Sequence, residues 1–554
     1  PVTDPRPSEF VSNKEIQTIE KIFVQDRLAS QTTSSSTNTE YIRFEQVESG
    51  HSGKKFQMKV IDPVFVNPNT VVNVALILRH IGITCGLKRY GGDKRRWLFV
   101  CCDGLPYGMV RKAVSDFFYC VTCKMDLVGK EALEAHKEND STQFCNTIRE
   151  FDWVVPIIGD GHYEMNLMRS FMDLKWDVCM KELAKRMGWR SESAQQSAKK
   201  GYDNHKLWQM IMVYFIGTML EMLHPYVRKC VEAKLQPTPE DFIGHYSHER
   251  CQASVNFDMW FQLVFKYAFG IVNFRAGVRR GNWRLVDAAR FMTRDLFHGR
   301  NHPKYQEIEI FHDFLQRSSP PEIRDFMNTY VSVTKSGHPS RGQGFDFLLE
   351  EENRSIKKWI SRGVASDQDW QNVIRNKDHL QQIYDMMSQI LDISDGAASS
   401  KIIDLSAAIT EWRICMRENV TLFEEGHDFV TLSGEDLDFG FLHFAEEAER
   451  KRGYRILEHF LNQPYPDATI RQPIFITASE RQESTRLEKS TINTIALKIE
   501  DLINQLSDST MREEFHQRYI KQVKRKPKAV YIAFFTELEG ILQGLVAQAP
   551  DEME

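Results

Sequence analysis

The chain has 554 residues, 42% hydrophobic and 27% charged, with 35 Phe, 17 Tyr and 10 Trp. This excludes a disordered or fibrous chain, and the length exceeds one compact core, so roughly two to four domains are expected. A formal net charge of −5 and a pI near 6.4 exclude coating of nucleic acid by bulk charge, but not DNA binding through a local basic patch. Met210–Leu223 is apolar but short and broken by Glu221, which reads as a buried helix rather than a membrane span. Ten scattered cysteines are no disulfide framework and point to a reducing, intracellular setting. Nothing at the start resembles a signal peptide. Beginning at Pro1 without Met, the chain is expected to have lost upstream targeting or DNA-binding segments.

In chain order, a polar leader over residues 1–60 holds one amphipathic stretch, Asn13–Leu28, and a Ser/Thr-rich link at Gln31–Thr39. Asn69–Ile83 predicts a buried helix. Trp97–Cys102 is a short apolar run of the kind that forms a buried central strand, and it ends in Asp103-Gly104. Phe151–Ile158 is a second such run, ending in Gly159-Asp160-Gly161; Pro156 limits it to a bulge or an edge. Met165, Met168, Met172, Trp176, Cys179 and Leu183 then mark a helix face, and the pattern stays helical to about residue 330. Helical periodicity resumes in Asp378–Leu391, Ala407–Met416 and Thr491–Leu506, and Thr469–Ile476 predicts a short edge strand.

Asp103 and Asp160 each end a strand-like run and precede glycine. Metal-assisted phosphoryl transfer needs carboxylates that converge on a pair of hard cations, and strand ends are where such acids are most easily brought together. A third acid belongs on a helix, which Asp346–Lys357 supplies. Phe347, Leu349, Ile356 and Ile360 form its apolar side, and Glu350, Asn353 and Lys357 share another face. Glu351 and Glu352 point elsewhere, so Glu352→Gln is expected to be tolerated. Each acid also has an ordinary reading, because Asp after a strand is usually a turn former or helix N-cap and a Glu run is usually a solvated face.

The ordered set Cys102–Tyr107, Gly159–Asn166, Arg280–Trp283, His302–Tyr305 and Leu349–Asn353 resembles transposase-like proteins akin to the DDE transposases of eukaryotic DNA transposons, the Kyakuja–Dileera–Zisupton type included. The resemblance covers about residues 60–365. It implies an α/β RNase-H-like core with a large all-α insertion and an all-α C-terminal region, helix-dominated overall. The expected parts are the leader, core residues 61–175, insertion 176–335, core helix 336–365 and a helical region 366–554. It implies Asp103, Asp160 and Glu350 as the catalytic acids, holding two Mg²⁺ or Mn²⁺ ions. Water would be the first nucleophile and a DNA 3′-hydroxyl the second. Transposon ends and target DNA are the implied partners. The resemblance further implies no membrane partner, a homodimer or higher homo-oligomer, and a nuclear location. A catalytically silent DNA- or protein-binding descendant is the competing reading. An RNase-H-like exonuclease ranks last, because Asp103-Gly104-Leu105 lacks the Asp-x-Glu such enzymes carry.

Cys120-x2-Cys123, twelve residues and His136 have the spacing of three Cys₂His₂ zinc ligands. Cys145 follows after eight more, a longer gap than usual, within a zinc-binding insertion at 118–147. The basic residues Lys88, Arg89, Lys94, Arg95 and Arg96 are expected DNA contacts. Arg279 and Arg280 join them, and Trp283 is placed to stack on an unpaired base, though a core Trp is the commoner reading. Arg275 and Arg284 flank this group. His162 and His302 are expected beside the metals or in proton transfer. Lys524–Lys528 is a weak nuclear address or phosphate contact.

Overall fold

A computed structural model describes residues 60–87, 97–138, 145–299, 302–330, 332–339, 341–360, 363, 365–391, 404–420, 422–424, 493–520 and 531–547. The expected leader helix, the Ser/Thr link, the basic loop 88–96, the strand at 469–476 and the basic run at 524–528 lie outside them.

The molecule is helix-dominated with little sheet. Helix α1 (Val71–Thr84) starts where the Thr70 hydroxyl accepts the Asn73 amide. Strand β1 (Leu98–Cys102) leads straight into α2 (Gly104–Asp116). A three-stranded antiparallel sheet in the order β3-β2-β4 follows, from β2 (Phe117–Cys120), β3 (Met125–Val128) and β4 (Thr147–Arg149), with α3 (Lys130–Glu138) between β3 and β4. Strand β5 (Val154–Ile158) pairs in parallel with β1, Leu98 opposite Val154 and Cys102 opposite Ile158.

Pro156 fits this pair for a geometric reason. Leu98 donates to the Trp153 carbonyl and Gly159 donates to the Cys102 carbonyl. The odd-numbered amides of β5 therefore face β1, and Pro156, which has none, sits on the side facing away. Every residue of β1 is only partly buried, and β5 is its one strand partner among the described residues. It is thus not the fully buried central strand its apolar run predicts. One side of the pair is closed by Val74, Leu78, Val110, Phe117, Phe151 and Trp153.

Helix α4 (Asp160–Lys175) leaves the end of β5 and enters the main helical core. That core is built around α5 (Asn204–Glu232), the only described helix long and apolar enough to cross a membrane, most of whose apolar window is buried in protein. Around it lie α6 (Phe269–Arg280), α7 (Trp283–Thr293) and α8 (Pro303–Ser318). The chain then returns to the parallel pair as α9 (Phe345–Lys357) and continues as α10 (Asp367–Ile390). Helix α11 (Ser406–Asn419) lies on α5. Trp412 is buried, its indole N–H bonds Thr218, and Gly217 leaves room for its ring. Arg413 and Arg417 both hold the buried Glu221. The core of the 176–335 helices thus draws in residues from beyond 400. A separate small core joins Ile499 and Ile503 to Leu538 and Leu542.

Candidate metal and catalytic centre

Parallel strands β1 and β5 end side by side, and a helix starts from each, so the amino ends of α2 and α4 lie next to one another above the strand ends. Unpaired amides there favour anions. Asp103 caps α2 through Oδ1, which accepts the Gly104 amide. Asp160 is the first residue of α4. It is partly buried, with no hydrogen-bond or ion-pair partner among the described residues. Burial pushes its carboxyl up to about 7 against the charge of Arg290, and Asp346 and Glu164 add to the rise.

Asp346 supplies the cap that α4 otherwise lacks. Its carboxylate accepts the amides of Gly161 at 3.0 Å and His162 at 2.6 Å, and lies 2.7 Å from His162 Nδ1. Burial alone would raise the Asp346 carboxyl, but the His162 ring and the two amides outweigh it and hold it below the usual carboxylate range. The close approach needs glycines. A Cβ at Gly159 would overlap the Asp346 carboxylate, and one at Gly161 would overlap the Phe347 ring. The far nitrogen of His162, Nε2, lies 3.9 Å from Asp103 Oδ2. The hydrogen bond to Asp346 raises the His162 imidazole above its ordinary value; burial opposes this, and the charges of Asp103, Asp346 and Glu350 add to it.

Glu350 stands one turn beyond Asp346 on α9, exposed, with its charge acting on His162. The helix is rotated from its expected setting. Leu349 is 60% exposed and Leu348 is buried in its place, with Asp346, Glu352 and Ile356 on the inward side. Glu352 is therefore no spare surface acid. It is buried between Lys335 and Lys377, which corrects the reading of the Glu run as a solvated face.

Two polar residues join the centre that the sequence did not single out. Asn166 donates to the His162 carbonyl and to the Tyr305 hydroxyl, 2.7 and 2.6 Å away, and Tyr305 faces Gly104. His302 lies edge-on to Tyr305, one layer back. The thiol of Cys101 is pushed far up by burial and by the charges of Asp346, Cys102 and Asp160, so it is no nucleophile.

The expected basic contacts divide. Arg280, the last residue of α6, is 8% exposed and so presents almost no surface to a phosphate. Arg279 is exposed and bonds the Gly342 carbonyl. Trp283 is half-buried at the start of α7, with the Arg284 guanidinium 5.6 Å from its ring centroid. Arg275 is committed to Glu164 and to the face of Trp208.

A second centre begins at Cys120, where β2 ends. Cys120, Cys123, His136 and Cys145 bring one ligand atom each to within 4.8 Å of one another. Cys120 ends β2, and Lys124, at φ 53°, turns the chain toward β3 so that the Cys123 amide donates to Cys120 Sγ. Helix α3 brings His136, whose buried Nε2 has no hydrogen-bond partner among the described residues. The β2–β4 pairing sets Thr147 opposite Cys120, which brings Cys145 back to the turn, its Sγ 3.2 Å from that of Cys123. Three thiols and one imidazole are the donor set of a closed tetrahedral zinc site, and the Cys123 N–H to Cys120 Sγ is the kind of outer hydrogen bond that supports a thiolate ligand. Burial opposes ionisation of Cys120, yet the Cys123 amide and the neighbouring ligand side chains bring its thiol down to about 6. The cluster can hold a metal such as zinc, with Cys145 as the fourth ligand.

Residues 129–399 match the model of a family of unknown function, DUF6589. No curated protein and no solved structure matches the chain. The matched segment carries His136, Cys145, Asp160, His162, Asp346 and Glu350; Asp103, Cys120 and Cys123 lie before it. Over just under half of its length the chain is similar to that family.

Proposed function

We propose that this protein is a DDE-type DNA transposase or a domesticated derivative of one, built on an RNase-H-like core whose centre is the β1–β5 pair. The observation that carries the reading is the position of Asp103 and Asp160 at the carboxyl ends of two hydrogen-bonded parallel strands, with α9, the helix that carries Glu350, packed on β1 and α4. The acids fit Mg²⁺ or Mn²⁺: Asp160 is partly buried, with no hydrogen-bond or ion-pair partner among the described residues, and the cap uses only Oδ1 of Asp103. When bound, two such ions supply the charge that activates a water or a 3′-hydroxyl and stabilises the leaving oxygen. Asp103 and Asp160 would hold the ions and Glu350 would complete one of them, while His162 and Asn166 fix the start of α4. Zinc in the Cys120–Cys145 cluster has a structural part, because four protein ligands leave no open position. A DNA substrate implies nuclear work, and joining two transposon ends implies at least two copies of the chain.

A silent relative that keeps the fold is favoured by one observation: Asp103 already serves as an ordinary helix cap. Mn²⁺-dependent nicking of labelled duplex DNA by the full chain separates the two. The account expects nicking that falls at least about a hundredfold in Asp160→Asn and Glu350→Gln, as loss of charge stabilisation at a reacting centre does. DNA binding without nicking would establish the silent reading, and nicking that survives both substitutions would remove these acids from the mechanism.

A further inference from the structure

The two carboxylates beside His162 stand in different relations to it. Asp346 is buried and pinned by the Gly161 and His162 amides, so its position is fixed, and it faces Nδ1 at 2.7 Å. A fixed carboxylate at that distance accepts a hydrogen bond from the ring's Nδ1–H, which keeps the proton on Nδ1 and leaves the Nε2 lone pair as the free end of the imidazole. Nε2 is directed at Asp103 Oδ2 from 3.9 Å, too far for a hydrogen bond. It is within about one ångström of the ~3 Å spacing of neighbouring ligands on an ion with bonds of about 2.1 Å. The other Asp103 oxygen is occupied by the Gly104 amide, so Oδ2 is the one available. A carboxylate behind a histidine whose second nitrogen faces another acid is the arrangement that orients metal-binding imidazoles. Asp160, partly buried and without a hydrogen-bond or ion-pair partner among the described residues, is a further acid at the same place.

We propose that His162 Nε2 is a metal ligand alongside Asp103, that Asp346 is its positioning residue, and that the centre therefore takes Mn²⁺ in preference to Mg²⁺. This rests on the carboxylate-site reading above, but requires nothing of the DNA substrate. An imidazole ligand favours a transition ion, whereas Mg²⁺ favours an all-oxygen shell. Asp346 is the better candidate for the role behind the ligand, because its oxygens are spent on the helix and the ring.

The test uses the full chain, loaded with one equivalent of zinc to fill the cysteine cluster, then titrated with Mn²⁺ and followed by pulsed electron paramagnetic resonance. The expected spectrum carries a ¹⁴N coupling from imidazole. His162→Gln should remove it and weaken Mn²⁺ binding about 10–100-fold, while changing Mg²⁺ binding far less. Asp346→Asn should weaken Mn²⁺ binding about tenfold with the coupling reduced. Bound Mn²⁺ without nitrogen coupling in the unaltered chain, or equal Mn²⁺ affinity in His162→Gln, would overturn the proposal. DNA nicking measured in parallel separates the two readings. Nitrogen coupling without nicking removes the transposase and keeps the ligand; nicking without the coupling removes the ligand and keeps the transposase.

Discussion

Asp160 gives the centre its pH dependence. Its carboxyl stands at about 7 rather than the ordinary 3.8, so the folded chain holds that proton more tightly than the unfolded chain does. The resulting stability is full below the ordinary value and is lost as pH rises through about 7. His162, also raised, contributes in the same direction. Without added divalent ion, the melting temperature should therefore fall between pH 5 and 8, and less so in Asp160→Asn. Mn²⁺ should offset the fall by stabilising the carboxylate, and a melting curve at pH 8 indifferent to Mn²⁺ would argue that no ion binds there. Glu352 makes the second residue-scale prediction. Buried between Lys335 and Lys377, it should lose about 1–3 kcal/mol of stability as Gln, seen as a lower denaturation midpoint. Spacing along the helix could separate Glu350 from its neighbours, but not foresee this pairing, since Lys377 arrives from α10. Asp346 was hidden for a similar reason. Its place depends on Gly159 and Gly161, 185 or more positions away, leaving room for it.

At the scale of elements, the two apolar runs ending in Asp-Gly were legible as strands because buried parallel strands read as continuous apolar stretches. Their being neighbours was not, since nothing local sets register. The Cys₃His cluster is a second case. Cys120, Cys123 and His136 have readable spacing, but Cys145 joins them only through the pairing of β2 with β4. Phe118, Cys120 and Leu127 form its small buried apolar cluster, so a metal held there would contribute much of its order. Structural zinc supplies on the order of 10 kcal/mol in units of this kind. Metal analysis should find one zinc per chain. Cys120→Ser or a strong chelator should release it and expose residues 118–147 to protease, with the helical signal little changed. A protein free of zinc and equally protease-resistant would contradict the assignment.

Across the whole molecule, the bulk charge of −5 says little about the centre, because many arginines serve internal acids. Arg275 holds Glu164, Arg290 holds Glu309, and Arg413 and Arg417 share Glu221. The helical core between Asp160 and Asp346 thus braces α4 from one side while α9 closes it from the other. The helical character of this long interval was readable from its periodicity. The return of α9 to the strand ends, and the docking of α11 on α5, are tertiary outcomes of which faces remain uncovered. The centre accordingly depends on segments far apart in the chain meeting at two strand ends. Anomalous scattering from crystals soaked in Mn²⁺ tests this most directly. The account predicts density bounded by Asp103, Asp160 and His162, with Glu350 turned toward it; Mn²⁺ elsewhere, with these side chains unmoved and unliganded, would contradict it.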